Sequence, residues 1–202
     1  MIMRRLVLIL AVFLMPAMVF AETAVNTAAP EFSLPDPTGK MHALSDYRGK
    51  FVVLEWFNPG CPFVKKHYGS GNMQQLQKKY TAQGAVWLTI SSNAEGKQGY
   101  INASNAAEII AEKKLASTAL LLDHEGSVGH AYGARTTPHM FVISPKGELV
   151  YSGAIDDNDS PDPEAISSSK NYVAAVLDQG LAGQPITVAA TEPYGCSVKY
   201  RS

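Results

Sequence analysis

The chain has 202 residues, with 17 Lys and Arg against 18 Asp and Glu, and a formal net charge of −1 at pH 7. Its 46% hydrophobic and 17% charged residues exclude a disordered or highly charged, solvating chain. Basic residues never cluster beyond two in a row, so we expect no nucleic-acid partner. Two cysteines are too few for a disulfide scaffold or an all-cysteine zinc site.

The N-terminus has the parts of an export signal. Two arginines precede an apolar run over residues 6–20, and Ala21 supplies a small residue at the break. The alternative is an uncleaved anchor, but the run is shorter than the ~20 residues that a spanning helix needs. We therefore predict a removable signal over 1–21, a flexible leader over 22–28, and a periplasmic or secreted protein with no stable membrane anchor. Two cysteines can pair in such an oxidising space.

The chain from residue 29 alternates apolar segments of strand and helix type, which predicts one α/β domain over 29–183. A strand, a helix and a strand over residues 51–90 form a βαβ unit with parallel pairing. The expected later elements are a helix at 105–115, a strand at 119–123, a hairpin at 139–152, an acidic loop at 155–168 and a helix at 170–181. The remaining residues, 184–202, are an irregular tail that carries Cys196.

Cys61 is placed where a buried strand ends and a helix begins. The N-terminus of a helix presents partial positive charge and free N–H groups, which lower the pKa of a thiol. Pro62 suits the first helical position, because its missing N–H would be unpaired there. The alternative is a buried, inert cysteine. A second element is Thr137-Pro138, just before a buried strand, where a cis proline would hold backbone beside the sulfur.

Five motifs follow one another along the chain: residues 29–36, Gly49 to Leu54, Cys61-Pro62, Thr137-Pro138 and the hairpin from Phe141 to Tyr151. Together they resemble the thioredoxin superfamily and, within it, the alkyl hydroperoxide reductase/thiol-specific antioxidant branch. A peroxiredoxin-like group of that branch is similar in Cys-Pro-Phe-Val-Lys at 61–65, Ile-Asp-Asp at 155–157 and Gly-Cys-Ser-Val-Lys at 195–199. The resemblance covers Ala29 to Tyr200. It implies a thioredoxin-like α/β fold: a central mixed sheet flanked by helices, an N-terminal β-hairpin and a C-terminal tail.

The resemblance also implies thiol oxidoreductase chemistry, with Cys61 as the nucleophile that attacks a hydroperoxide or a protein disulfide. Cys196 on the tail would act as the resolving thiol, and an unidentified thiol reductant would recycle the protein. No cofactor and no metal are expected. The residues expected to shape the substrate groove are Asn58, Pro62, Arg135, Thr137 and Pro138; Arg135 would replace an arginine that peroxiredoxins keep near the sulfur.

The sequence departs from both branches of the superfamily. A thioredoxin has a second cysteine three places after the first, and Val64 stands there, so exchange within one helical turn is impossible. A peroxiredoxin has Thr or Ser three places before its cysteine and Pro seven places before, where this chain has Asn58 and Leu54. Peroxide and disulfide therefore both remain candidate oxidants.

Two further residues are candidates for auxiliary roles. Glu55, six residues before Cys61, matches the place where thioredoxins keep a buried acid, and the resemblance implies a raised pKa and transfer of the resolving thiol's proton. His67, six residues after Cys61, is a candidate auxiliary residue that we expect on the helix surface.

Two alternatives to an enzyme stay open. A permanent disulfide between Cys61 and Cys196 would staple the tail to the domain. A binding or copper-handling module would use the same cysteines with His67 and His139. The acidic loop at 155–168 lacks the spacing of a calcium-binding EF-hand, so we expect it to be solvated or to cap a helix.

Overall fold

The computed structural model of the chain describes residues 24–201, so the predicted export signal lies outside the described residues. The described part contains nine strands: β1 (Ser33–Pro35), β2 (Met41–Ala43), β3 (Val52–Trp56), β4 (Val86–Ser91), β5 (Ala119–Leu122), β6 (Thr136–Thr137), β7 (His139–Ile143), β8 (Leu149–Gly153) and β9 (Cys196–Ser197). It also contains five α-helices: α1 (Pro62–Gly69), α2 (Asn72–Ala82), α3 (Ala106–Lys113), α4 (Ser127–Tyr132) and α5 (Tyr172–Leu181). Leu44–Tyr47 and Pro163–Ser168 are 3-10 helices.

The central sheet has the strand order β5-β4-β3-β7-β8. Strands β3, β4 and β5 are parallel, whereas β7 pairs antiparallel with both β3 and β8. Strand β3 is buried along its whole length, as the β-branched and aromatic run in its sequence predicts. The mixed sheet, the βαβ unit through α1 and α2, and the β1–β2 hairpin are confirmed.

Alternating side chains of β3 face two separate cores. Val53 points to the core beneath α1, α2 and α5, together with Phe57 and Cys61. Leu54 points to the opposite core, which α4 and the N-terminal hairpin cover. This alternation follows from the two-residue period of a strand. We call these the thiol face and the opposite face of the sheet.

The helical stretch after Cys61 is divided in two. Gly71, at the N-terminus of α2, has φ of +79°, a left-handed conformation that glycine adopts without steric cost. The single helix expected between β3 and β4 is therefore two helices, α1 and α2, with a break at Gly71. As a result α1 has only 8 residues, with Cys61 as its N-cap and Ser70 as its C-cap.

Two local predictions need correction. Residues 24–28 are not a free leader: the Asn26 N–H donates to the Leu149 carbonyl at 2.6 Å, and the Leu149 N–H donates to the Thr27 carbonyl at 2.9 Å. Most of the acidic loop is exposed, and Asp162 caps the 3-10 helix at its end, as predicted, but Asp156 is buried rather than solvated. At the end of this region Asn171 is the N-cap of α5, and its side chain accepts a hydrogen bond from the Ala174 N–H.

The tail wraps around the end of the sheet from one face to the other. Tyr194 and Cys196 pack against the core of the thiol face, whereas Val198 and Tyr200 pack against the opposite core. Between them β9 pairs antiparallel with β6. The tail is thus an ordered strap that crosses close to the start of α1. None of the helices in residues 24–201 has the length and apolarity to span a membrane.

Candidate active site

Cys61 caps the N-terminus of α1, between the end of β3 and the first helical residue, Pro62. The Cys61 N–H donates to the Asn58 carbonyl at 3.1 Å, and the Cys61 carbonyl accepts from the Lys65 N–H at 2.9 Å. The strand-to-helix junction that the sequence predicted therefore holds the cysteine from both sides. Its side chain is fully buried, while Pro62 beside it is exposed.

Thr137 lies directly against the sulfur. The Cys61 thiol donates to the Thr137 carbonyl over 2.9 Å, and the Thr137–Pro138 peptide is cis, as predicted. Burial of Cys61 opposes ionisation, but the Thr137 side chain and the backbone of Val64 and Cys196 outweigh it. The pKa of Cys61 is therefore lowered, which favours the nucleophilic thiolate.

Cys196 is brought to the same place by β9, where it lies opposite Thr137 in the antiparallel pairing. Both cysteines are free thiols, and Cys196 is partly exposed. Burial, followed by the neighbouring Cys61, raises the pKa of Cys196 to about 11. The two thiols thus differ: the pKa of Cys61 is lowered and that of Cys196 is raised, so Cys61 loses its proton at the lower pH.

Gly195 permits this close approach of the tail. It has φ of +134°, and a Cβ atom there would lie 2.2 Å from the Thr137 carbonyl oxygen. Any side chain would push the tail away from β6. A glycine directly before Cys196 therefore allows the tail to pack this closely against β6.

Glu55 is fully buried in the middle of β3, on the thiol face. One carboxylate oxygen accepts from the Tyr68 hydroxyl at 2.8 Å; the other accepts from the Trp87 indole N–H at 2.8 Å and the Gln77 amide at 3.1 Å. Burial raises the pKa of Glu55 to about 7, although these hydrogen bonds pull it down. The raised pKa that the family resemblance implied is present, beneath the helix that carries Cys61.

Asn58 organises the loop that leads to the nucleophile. Its side-chain oxygen accepts from the Gly60 N–H at 2.9 Å, and its amide donates to the backbone and side-chain oxygens of Gln98, both at 3.2 Å. The side chain is fully buried. Asn58 therefore joins the cysteine loop to the segment between β4 and α3, and its contacts are with the protein itself.

Arg135 is not directed at the sulfur. Its guanidinium pairs with Glu192 of the tail at 3.1 Å, and about half of the Arg135 side chain is exposed. The idea that it replaces a peroxiredoxin arginine beside Cys61 is not supported, because the acid on the tail draws it to the surface. Its backbone carbonyl instead accepts from the Val198 N–H at 2.9 Å and so fixes the tail.

The surface position predicted for His67 is wrong. The ring is fully buried, with Nε2 at 3.2 Å from the Tyr194 hydroxyl and Nδ1 at 2.9 Å from the Asn72 amide. Burial is the main reason that the pKa of His67 is lowered to about 4. The neighbouring Lys66 is also buried and interacts with Asp156. Sequence reasoning did not foresee that Lys66 is buried, and it did not single out Tyr194, which stands two residues before Cys196.

The residues named for a copper site do not assemble. His139 packs against Phe141 on the opposite face, with ring centroids 4.3 Å apart, and its Nδ1 accepts from the Arg135 N–H at 3.2 Å. His67 lies on the thiol face within α1. Among residues 24–201, no group of three His, Cys, Asp or Glu side chains is arranged to hold a metal ion.

Comparisons with known proteins place the chain among redox proteins. The model of the AhpC/TSA family matches residues 25–152. The thiol-disulfide oxidoreductase ResA of Geobacillus thermodenitrificans is 27% identical over 155 residues, which cover 73% of this chain and 83% of that protein. ResA of Geobacillus kaustophilus is 31% identical over 126 residues, or 62% of this chain and 67% of that protein.

Solved structures agree on the fold. A hypothetical protein from Sinorhizobium meliloti superposes with a TM-score of 0.74 at 24% identity, over 90% of this chain and 97% of that one. The thioredoxin domain of a thiol-disulfide oxidoreductase from Bacteroides vulgatus superposes with a TM-score of 0.53 at 19% identity, over 73% of this chain and 98% of that one. The predicted thioredoxin-like fold is thereby confirmed, and with the match of the family model we conclude that the chain belongs to the AhpC/TSA family.

Proposed function

We propose that this chain is a two-cysteine thiol oxidoreductase in which Cys61 attacks the oxidant and Cys196 resolves the product. One observation carries the proposal: Thr137 contacts the sulfur of Cys61 through its carbonyl and faces Cys196 across the β6–β9 pairing. The relatives named thiol-disulfide oxidoreductase support the same chemistry. Val64 occupies the place where a thioredoxin has its second cysteine, so in this chain the second cysteine, Cys196, comes from the tail.

The reaction has two steps. The Cys61 thiolate attacks one sulfur of a disulfide, a new Cys61–sulfur bond forms, the substrate's sulfur–sulfur bond breaks, and one thiolate leaves. Cys196 then gives up its proton and attacks Cys61, which forms the Cys61–Cys196 bond and expels the second thiolate. The substrate gains two electrons and two protons, and the protein becomes oxidised. A thiol reductant reverses the sequence and restores both cysteines.

We propose a disulfide as the first candidate oxidant. Arg135, the cation expected to assist peroxide cleavage, pairs with Glu192 on the surface. Attack on a disulfide needs a lowered thiol pKa and a second thiol, and both are at hand here. The disulfide-bearing partner is proposed to be a protein or a small disulfide.

A hydroperoxide is the second candidate, because the family model is that of AhpC/TSA proteins. In that case Cys61 breaks the O–O bond and becomes a sulfenic acid, while an alcohol leaves. Cys196 then displaces water to give the same Cys61–Cys196 disulfide. The two oxidants therefore share both cysteines and differ only in the first step.

Glu55 is proposed to hold and return the proton that Cys196 releases. Its pKa, raised to about 7 by burial, lets it exchange a proton near neutral pH.

The proposed place of action is outside the cytoplasm, on the grounds of the basic and apolar pattern of residues 1–21.

The proposal is tested by mixing the reduced protein separately with hydrogen peroxide and with 4,4′-dithiodipyridine, and following thiol loss in the wild type and in Cys61→Ser. We expect both oxidants to require Cys61, and the disulfide to react faster. Equal rates of thiol loss in the wild type and in Cys61→Ser would contradict the proposal. Faster reaction with peroxide would reverse the order of the two oxidants.

A further inference from the structure

Four side chains from three parts of the chain meet beneath the tail; we call Lys66, His67, Asp156 and Tyr194 the anchor cluster. The Lys66 side chain is 0% exposed and that of Asp156 is 2% exposed, with 3.5 Å between the Lys66 ammonium and the Asp156 carboxylate. Lys66 also donates to the Asn158 carbonyl at 2.7 Å. A buried lysine needs such partners, because an uncompensated charge in the interior is costly.

Tyr194 joins the tail to this cluster. Its hydroxyl donates a short hydrogen bond to the carboxylate of Asp156 and lies 3.2 Å from Nε2 of His67. His67 is neutral at pH 7, because burial lowers its pKa to about 4. The charged acceptor of the tyrosine is therefore Asp156, and a hydrogen bond to a charged acceptor is stronger than one between neutral groups.

The anchor cluster connects the two elements that carry the cysteines. Lys66 belongs to α1, five residues after Cys61, and Tyr194 precedes Cys196 by two residues. Asp156 lies between them, in contact with both. The helix of the nucleophile and the strand of the resolving thiol are thus held to one common carboxylate.

The other side of the tail is fixed differently. The Tyr200 hydroxyl donates to the Ala134 carbonyl at 2.8 Å, and its ring stacks on His130 at 4.0 Å between centroids. These contacts lie with the core of the opposite face. Tyr200 therefore offers a matched control: it is the same residue type on the same tail, with a hydroxyl hydrogen bond that does not reach the anchor cluster.

We propose that Tyr194 is a positioning residue, which acts through Asp156 and Lys66 to hold Cys196 against Cys61 and so sets the rate of the resolving step. The inference rests on the proposed function and adds a residue to it. Resolution is intramolecular, so its rate depends on how much of the time Cys196 stays within reach of the reacted sulfur. Attack on the oxidant by Cys61 forms no bond to the tail, which affects this step only by covering Cys61 and by helping to lower its pKa.

The test follows the reduced protein after it is mixed with one equivalent of 4,4′-dithiodipyridine. The first release of 4-thiopyridone reports attack by Cys61, and the second reports resolution by Cys196. Wild type, Tyr194→Phe and Tyr200→Phe are compared, and peptide mapping identifies the disulfide. Circular dichroism and thermal unfolding verify that each variant is folded.

Loss of a hydrogen bond to a charged group predicts that Tyr194→Phe slows the second release by about tenfold and changes the first release by much less. Tyr200→Phe is expected to slow the second release by less than about twofold, because its acceptor is a neutral carbonyl distant from the anchor cluster. An unchanged second release in Tyr194→Phe, or equal slowing in both variants, would overturn the inference. A wild type that never forms the Cys61–Cys196 link would instead contradict the proposed function.

Discussion

Thr137 and Cys196 face each other across the two-residue pairing of β6 and β9. The Thr137 carbonyl oxygen also accepts a hydrogen bond from the Cys61 thiol, with 2.9 Å between sulfur and oxygen. One backbone position thus touches both cysteines of the chain. Thr137 therefore holds the start of α1, through the Cys61 thiol, and the tail, through β9, close to each other. The site is built on this relationship.

Replacing Thr137 by valine is expected to raise the pKa of Cys61. Burial already opposes ionisation, and the Thr137 side chain is the largest of the effects that lower this pKa. The check is the pH dependence of Cys61 carbamidomethylation by iodoacetamide, resolved by peptide mapping. Thr136→Val is the matched control, since the Thr136 hydroxyl donates to the Pro138 carbonyl at 3.0 Å. Identical pH profiles for the two variants would refute this role of Thr137.

Replacing Gly195 by alanine is expected to loosen the tail and expose Cys61. The new methyl group would meet the Thr137 carbonyl at 2.2 Å, so the tail must move. We expect Cys61 alkylation to become about tenfold faster, because a buried thiol reacts through local opening. Gly69→Ala is the control, because its methyl group would have no neighbour within 4 Å. Alkylation at the wild-type rate in Gly195→Ala would show that the tail does not protect Cys61.

The buried carboxyl of Glu55 predicts a specific dependence of stability on pH. Its pKa is raised from 4.5 to about 7, so the folded state holds a proton that the unfolded state has lost between these values. The free energy of unfolding therefore falls as pH rises through this window, by about 3 kcal/mol from this group. Above about pH 7 the loss is complete, and below about pH 4.5 it is absent.

Urea unfolding of Glu55→Gln at pH 5 and pH 8 checks this account. The variant should lose most of the pH-dependent fall, because its side chain does not ionise. The exposed Glu108 on α3 provides the control, Glu108→Gln, which should keep the wild-type slope. A slope in Glu55→Gln that matches the wild type would mean that Glu55 does not take up the proton.

Lys66 and Lys65 are predicted to differ sharply in their effect on stability. Lys66→Ala leaves the buried carboxylate of Asp156 without its cation, and breaking a buried pair from one side costs about 3–5 kcal/mol. Lys65 is exposed, and Lys65→Ala should change the free energy of unfolding by less than about 0.5 kcal/mol. Chemical denaturation of both variants gives the comparison. Similar stabilities would argue against a buried ion pair.

Local patterns in the sequence predicted the strand-to-helix junction at Cys61, the positions of the buried strands and the cis peptide before Pro138. Each of these depends on residues that are neighbours in the chain, so periodicity and proline chemistry were informative. The buried acid at Glu55 followed from its spacing to Cys61 within a family pattern, and its surroundings in the structure agree.

The contacts of the tail could not be predicted in the same way. Lys65 and Lys66 are identical in type, and only the position of Asp156, brought in from far along the chain, determines which of them is buried. His67 was expected at the surface for the same reason. The side chain that lies against its ring, Tyr194, also comes from far along the chain. Arg135 was expected near the sulfur, but it pairs with Glu192. The sequence could not indicate this ion pair, because Glu192 lies in a segment without a regular pattern.

The most direct test of the account is the intact mass and peptide map of the reduced protein, before and seconds after one equivalent of oxidant. Loss of two hydrogens, mapped to a Cys61–Cys196 link, is the predicted result. Cys196→Ser should instead stop with the oxidant's group still attached to Cys61. A wild type that reacts at Cys61 but forms no link to Cys196, or that does not react at all, would contradict the two-cysteine mechanism.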